Sequence, residues 1–229
     1  MKVLVIPDVH LKPFIFDYAE DLMHKNNIDT AVFIGDIVDD WGKQNNVELY
    51  EKTINRAIQF KHDHPNSKFC WGNHELGYIT DIYCSGNSEL HFLEIRDLLK
   101  KYEREVQPEL AYSIDNIIFS HAGFCSYAED AVKQTKKDGV YDGSIYDNMN
   151  SHISPVWLRP YPGAFYDTPQ VVGHTPVEKI YQKDNIWVVD TYSTSSENVK
   201  IGDGTFLIID TVTLEASICG EGLWNNKKD

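Results

Sequence analysis

Five short motifs hold the residues that could do chemistry in this sequence: Asp8-Val9-His10, Gly35-Asp36-Ile37-Val38-Asp39, Gly72-Asn73-His74-Glu75, His121-Ala122-Gly123 and Gly173-His174-Thr175-Pro176. They offer carboxylate, amide-oxygen and imidazole groups and no thiolate. Such a set suits divalent first-row cations such as Mn, Fe or Zn, with Mg as the harder alternative. Taken singly, an Asp-x-His pair or a Gly-Asp turn is a weak signal. A series of five, each following an apolar run of strand length, is not explained as a set of satisfied turns. Glycines beside three of the groups allow tight turns and close backbone approach.

The elements that must position these motifs follow from periodicity. Lys2 to Ile6 reads as a fully buried strand, Thr30 to Ile34 as a second and Lys68 to Trp71 as a third. Phe14 to Asn27 and Val47 to Phe60 carry apolar residues at helical spacing. After a loop through Asn87, Leu90 to Tyr102 reads as a further helix. This strand and helix alternation predicts a parallel sheet covered by helices. The second half changes character. Leu110 to Ile114 and Ile117 to Ser120 flank the turn pair Asp115-Asn116 and read as a hairpin. The segment 125–168 is helical at first, then irregular and rich in Tyr, Gly and Pro. Gln170 to Val172, Ile186 to Asp190, Thr205 to Asp210 and Thr213 to Ile218 read as strands. The expectation is an α/β (α+β) layered structure of two mixed sheets flanked by helices, in one domain spanning 1–229. Ligands of open α/β sheets bind beyond the carboxyl ends of strands, so the five motifs are expected to converge on one crevice.

Composition sets bounds on partners. The 229 residues carry 21 Lys+Arg against 35 Asp+Glu, a formal net charge of −14. That balance argues against a polymeric nucleic-acid partner, whose phosphates are neutralised by Lys and Arg. Either the surplus is a solubility feature of the surface, or some carboxylates hold cations. No apolar run approaches the roughly 18 residues of a membrane span. Pro7-Asp8 stops the first run at once, so no secretory leader is expected. Cys70, Cys84, Cys125 and Cys219 form no Cys-x-x-Cys pair, and Cys70 and Cys219 read as buried free thiols of a cytoplasmic protein.

In order and spacing the five motifs resemble the calcineurin-like metallophosphoesterase superfamily, and within it the compact phosphoprotein phosphatases of the serine/threonine type. Asn73-His74-Glu75, His121-Ala122-Gly123, Gly173-His174-Thr175-Pro176 and a strand ending in Asp190-Thr191 carry the resemblance, which runs from about Met1 to Asp210. It implies two mixed sheets packed as a sandwich, and two divalent metal ions, manganese foremost, with Fe, Zn, Ni, Co or Mg as alternatives. Asp8, His10 and Asp36 would hold one cation, and Asp36, Asn73, His121 and His174 the second. A hydroxide shared by the cations would then attack phosphorus directly. His74 is implied as the general acid for the leaving group, oriented by Asp39. Where the family usually has a phosphate-gripping Arg, this sequence has Asp40. Arg159 lies where the family has another, and its alternative is a surface arginine lying over Trp157.

The resemblance implies a phosphomonoesterase acting on a phosphoprotein, phosphopeptide or small nucleotide. A dinucleoside polyphosphate hydrolase of the diadenosine tetraphosphatase kind is the main rival, a 2′,3′-cyclic phosphodiesterase a lesser one, and a non-catalytic scaffold a third. Glu75 is expected to support its loop or helix and not to ligate. His24, His62, His64, His91 and His152 are expected on the surface or in structural roles. Lys133, Lys136 and Lys137 are expected on a solvated helix face. Tyr141, Tyr146, Trp157, Tyr161, Phe165 and Tyr166 either pack an irregular segment or line a substrate groove.

Overall fold

The computed structural model of the chain describes residues 1–224. Val3-Leu4-Val5-Ile6 is buried along its whole length and forms most of β1 (Lys2–Ile6), the middle strand of a first sheet. It pairs in parallel with β2 (Ala31–Phe33), placing Leu4 opposite Ala31 and Ile6 opposite Phe33. Beyond β2 lies β3 (Lys68–Phe69), also parallel. On the other side β9 (Phe206–Asp210) and β10 (Ala216–Cys219) pair antiparallel.

Strand side chains alternate between faces, and both faces of this sheet are covered. Leu4, Ile6, Phe33 and Phe69 point to one cluster, where Phe33 stacks on Phe69 with centroids 4.2 Å apart. The helices α1 (Phe14–Asn26), α2 (Val47–Asp63) and α4 (Phe92–Val106) cover it with residues such as Phe16, Ile54 and Leu99. Val3, Val5, Val32 and Ile34 point the other way and meet Phe119, Val171 and Trp187 of the second sheet.

That second sheet runs β4-β5-β6-β8-β7, from β4 (Ala111–Ile114), β5 (Ile117–Ser120), β6 (Gln170–Val172), β7 (Tyr181–Lys183) and β8 (Ile186–Val188). Strands β5, β6 and β8 are parallel, while β4 and β7 pair antiparallel at its edges. The helix α5 (Glu129–Asp138) covers its outer face through Val132, and a short α6 (Ile145–Met149) follows. Two mixed sheets face to face, flanked by helices, are the layered architecture expected from the sequence. Among the described residues no helix is long and apolar enough to cross a membrane.

Three local expectations change. Residues 73–80 are not part of a loop but form α3 (Asn73–Thr80), because Gly72 caps the helix and the Glu75 side chain accepts from its backbone N–H at 2.9 Å. The strand β7 was not foreseen. Its residues are all exposed and lack an apolar face, so only the turn at Asp184, held at φ 53°, marks the hairpin. All four cysteines are free, but Cys219 lies on the edge strand β10 and is only half-buried, unlike Cys70.

Candidate metal centre

The three parallel strands of the first sheet end just before Asp8, Asp36 and Asn73, and those of the second just before His121, His174 and Asp190. All six side chains gather at one crevice between the sheets. Backbone bonds tie the first two loops: Val9 and His10 N–H both donate to the Asp36 carbonyl, at 2.9 and 2.8 Å. Side chains tie the rest, with His174 N–H donating to Asp8 Oδ2 at 2.8 Å and His74 N–H to Asp36 Oδ1 at 3.1 Å. The approach is close enough that glycine is required at two points. A Cβ on Gly173 would lie 1.9 Å from Asp8 Oδ1, and one on Gly72 would lie 2.1 Å from Asp36 Oδ1.

His10, Asp36, Asp39 and His174 all have left-handed backbones, with φ of 44°, 46°, 59° and 61°. Asp and His tolerate this region better than most residues, and strain of this kind clusters where the surroundings fix a side chain for use.

Two overlapping groups emerge. Asp8, His10 and Asp36 bring one ligand atom each within 4.8 Å of one another, and so do Asp36, His121 and His174; Asp36 belongs to both. His121 Nε2 lies 2.9 Å from Asn73 Oδ1, 3.0 Å from His174 Nδ1 and 3.3 Å from Asp36 Oδ2. Carbonyl oxygens set two of the imidazole tautomers. His121 Nδ1 is 3.1 Å from the Ile34 carbonyl and His10 Nδ1 2.8 Å from that of Asp39, so Nδ1 carries the hydrogen in each neutral ring. Both Nε2 lone pairs then face other acceptors, which is repulsive unless a cation lies between them. Asp8 Oδ1, His174 Nε2 and Asp190 Oδ1 are buried without a hydrogen-bond partner.

The electrostatics tell the same story. Burial, then the charges of Asp190 and Asp36, push the Asp8 carboxyl well above its ordinary range. Burial would raise Asp36 too, but His121, His74 and His10 hold it well below. Burial, then His121 and Arg159, drive His174 well below the usual imidazole range. Buried carboxylates that cannot all ionise, beside the His174 imidazole that resists protonation, form a site that fits divalent cations.

Beside this centre, His74 Nδ1 lies 2.8 Å from Asp39 Oδ2, and its Nε2 edge is 4.0 Å from Asp36. Burial alone would lower His74, but the Asp36 charge and the bond and charge of Asp39 outweigh it, raising the imidazole to about 9. Glu75 bridges two motifs, accepting from Val38 N–H at 3.0 Å and Gly72 N–H at 2.9 Å. Burial and the Asp36 charge raise it to about 7.

A cavity of about 190 Å³ opens over His74 and is walled by Trp41, Trp157, Arg159, Asp40 and Thr194. Arg159 does not lie free over Trp157: it donates to the His174 carbonyl at 2.8 Å and to Thr175 Oγ1 at 3.2 Å. Asp40 is neutralised within the protein by Lys12 Nζ at 3.1 Å and accepts from the Thr194 hydroxyl. Lys12 also donates to the His10 carbonyl at 3.0 Å and so secures the first loop.

Of the histidines expected elsewhere, His24, His62 and His152 are exposed and His64 and His91 half-buried. The three lysines of α5 are exposed. The aromatic segment divides. Trp157 reaches the cavity, Tyr141 packs against Phe124, Tyr146 is exposed, and Tyr161, Phe165 and Tyr166 line a separate cleft of about 300 Å³ against β7 and β8. Asp190, Lys12, Tyr50, Tyr78 and Asn87 were missed as site residues. Only Asp190 had a usable signal, since it too follows an apolar strand.

The model of the calcineurin-like phosphoesterase family matches residues 1–201. Among solved structures the chain is similar to a cold-active protein tyrosine phosphatase, at 16% identity, covering 96% of this chain and 79% of that one with a TM-score of 0.57. It is also similar to a protein serine/threonine phosphatase from Saccharomyces cerevisiae with similarity to human phosphatase PP5. There the identity is 16%, the coverage 91% of this chain and 72% of that one, and the TM-score 0.55. At such identities the likeness is one of fold. No curated protein matches.

Proposed function

The chain belongs to the calcineurin-like phosphoesterase family and is a phosphoester hydrolase, and we propose that it is a phosphomonoesterase dependent on two divalent cations. The observation that carries this reading is the pair of ligand groups sharing Asp36, together with buried acceptors that lack partners. Asp8, His10 and Asp36 would hold one ion, and Asp36, Asn73, His121 and His174 the other, with manganese the first choice for this donor set. When bound, such a pair makes a water molecule nucleophilic at neutral pH and neutralises phosphoryl oxygens.

The chain's own residues supply the rest. Arg159 is anchored through Nη1, which leaves its remaining N–H groups for a phosphate oxygen in the cavity. His74, oriented through Nδ1 by Asp39, holds a proton at Nε2 for the leaving-group oxygen. The bond from phosphorus to that oxygen breaks, and the released alcohol keeps the proton. Asp40, where the resemblance would put a second Arg, leaves Arg159 as the one guanidinium on the cavity wall among the described residues. That favours a substrate with one phosphate, such as a phosphopeptide of serine or threonine, over a polyphosphate.

A nucleotide substrate is the second reading, favoured by Trp41 and Trp157 on the cavity wall, which could stack a base. Purified protein loaded with manganese should hydrolyse p-nitrophenyl phosphate, and a phosphopeptide should be turned over faster than a diadenosine polyphosphate. The reverse order would favour the nucleotide reading. Absence of turnover on any monoester would overturn the first.

A further inference from the structure

Asp39 is buried, and four donors converge on its carboxylate. Tyr50 and Tyr78 hydroxyls donate to Oδ1 at 2.5 and 2.8 Å. Asn87 Nδ2 donates to Oδ2 at 2.6 Å, beside His74 Nδ1 at 2.8 Å. A carboxylate has about four lone-pair positions, so this one is saturated.

For Tyr78 and Asn87 the direction of the bond is fixed by a second contact. Tyr78 Oη accepts from Ser88 N–H at 2.6 Å, which leaves its own hydrogen for Asp39. Asn87 Oδ1 accepts from Cys84 N–H at 2.7 Å, which settles the amide orientation and turns Nδ2 toward Asp39 and the His74 carbonyl. Burial and the Asp39 charge push both tyrosines above their ordinary range, so they stay protonated donors.

These donors come from three separate elements, α2, α3 and the loop between α3 and α4. All hold one oxygen pair whose outward contact is the His74 ring, and Ser85 and Gly86 of the same loop reach the substrate cavity.

We propose that Tyr50, Tyr78 and Asn87 are positioning residues for His74: they lock the Asp39 carboxylate in one orientation, and so aim the imidazole at the leaving group. The inference rests on the phosphomonoesterase reading. Its signature lies in the leaving group. A p-nitrophenolate departs with little help from an acid, whereas the alkoxide of a serine or alkyl ester needs a proton in the transition state. Mispositioning His74 therefore harms alkyl phosphates most, with kcat affected and KM little changed.

The test compares wild type, Tyr78→Phe, Tyr50→Phe and Asn87→Ala, each loaded with manganese, on p-nitrophenyl phosphate, phenyl phosphate and a phosphoserine peptide. Thermal melts identify any variant that fails to fold; the two Phe variants remove only a hydroxyl each and are expected to survive. For the folded variants, the ratio of p-nitrophenyl to phosphoserine kcat should rise by roughly tenfold, a fraction of the full contribution of a general acid. Equal losses on all three substrates, or none, would overturn the positioning role while leaving the hydrolase reading intact. A wild-type protein inactive on all three would overturn that reading, and the inference with it.

Discussion

Asp36 and Asp39 stand three residues apart on one loop, both buried and both with left-handed backbones, yet their surroundings are opposite. Around Asp39 every neighbour is a donor and every lone pair is used. Around Asp36 a single backbone N–H, that of His74, donates, and the other neighbours are imidazole nitrogens and carboxylates, with buried polar atoms left unpartnered nearby. A protein that can saturate one carboxylate and leaves the next undersupplied is not short of donors. The undersupplied group is complementary to cations from outside the chain, whereas the saturated one is complete and serves to orient a neighbour.

The contrast breaks most visibly at Asp36 itself. Asp36→Asn removes the shared ligand, and phosphatase activity should fall below detection with loss of bound metal. His74→Asn should lower kcat on a phosphoserine peptide by roughly 10²–10³-fold while metal content, read by elemental analysis, stays as in wild type. Retained activity in the first variant, or lost metal in the second, would erase the distinction between the two carboxylates. Asp190→Asn tests whether the third buried carboxylate belongs to the undersupplied group. Manganese affinity by calorimetry should weaken by about tenfold, as for other outer partners of metal sites. Arg159→Ala should have the smallest effect, raising KM for p-nitrophenyl phosphate by roughly fivefold with kcat changed less, the size of one ordinary hydrogen bond of an exposed side chain.

The two environments were not equally legible in the sequence. The undersupplied group is contributed by strand ends, and a polar residue just after a buried apolar run is visible without a structure: Asp8 after Val3 to Ile6 and His174 after Gln170 to Val172 are examples. Asp190 gave the same signal. The saturated group is contributed by interiors. Tyr50 lies on the buried face of an amphipathic helix, where an aromatic is expected for packing alone, and its hydroxyl bond to Asp39 leaves no trace in periodicity. Tyr78 belongs to α3, which short length and the adjoining loop concealed. Asn87 sits in a turn, where asparagine is common for local backbone reasons. Lys12 likewise gave no hint that Asp40 needed a buried counter-charge.

The layered fold was easier to read, because burial on both faces of β1 and the alternating helices dictate it. Edge strands were harder. β7 has no buried residue and β10 only one that is not fully exposed, so neither carries a strong apolar pattern.

The most direct measurement is the manganese content of the wild-type chain and of Asp36→Asn after equilibrium dialysis. Two ligand groups joined through one carboxylate predict about two ions per wild-type chain and a loss at both positions when the shared ligand is removed. A wild-type chain that binds no manganese, or an Asp36→Asn variant that still binds as much as wild type, would contradict the account.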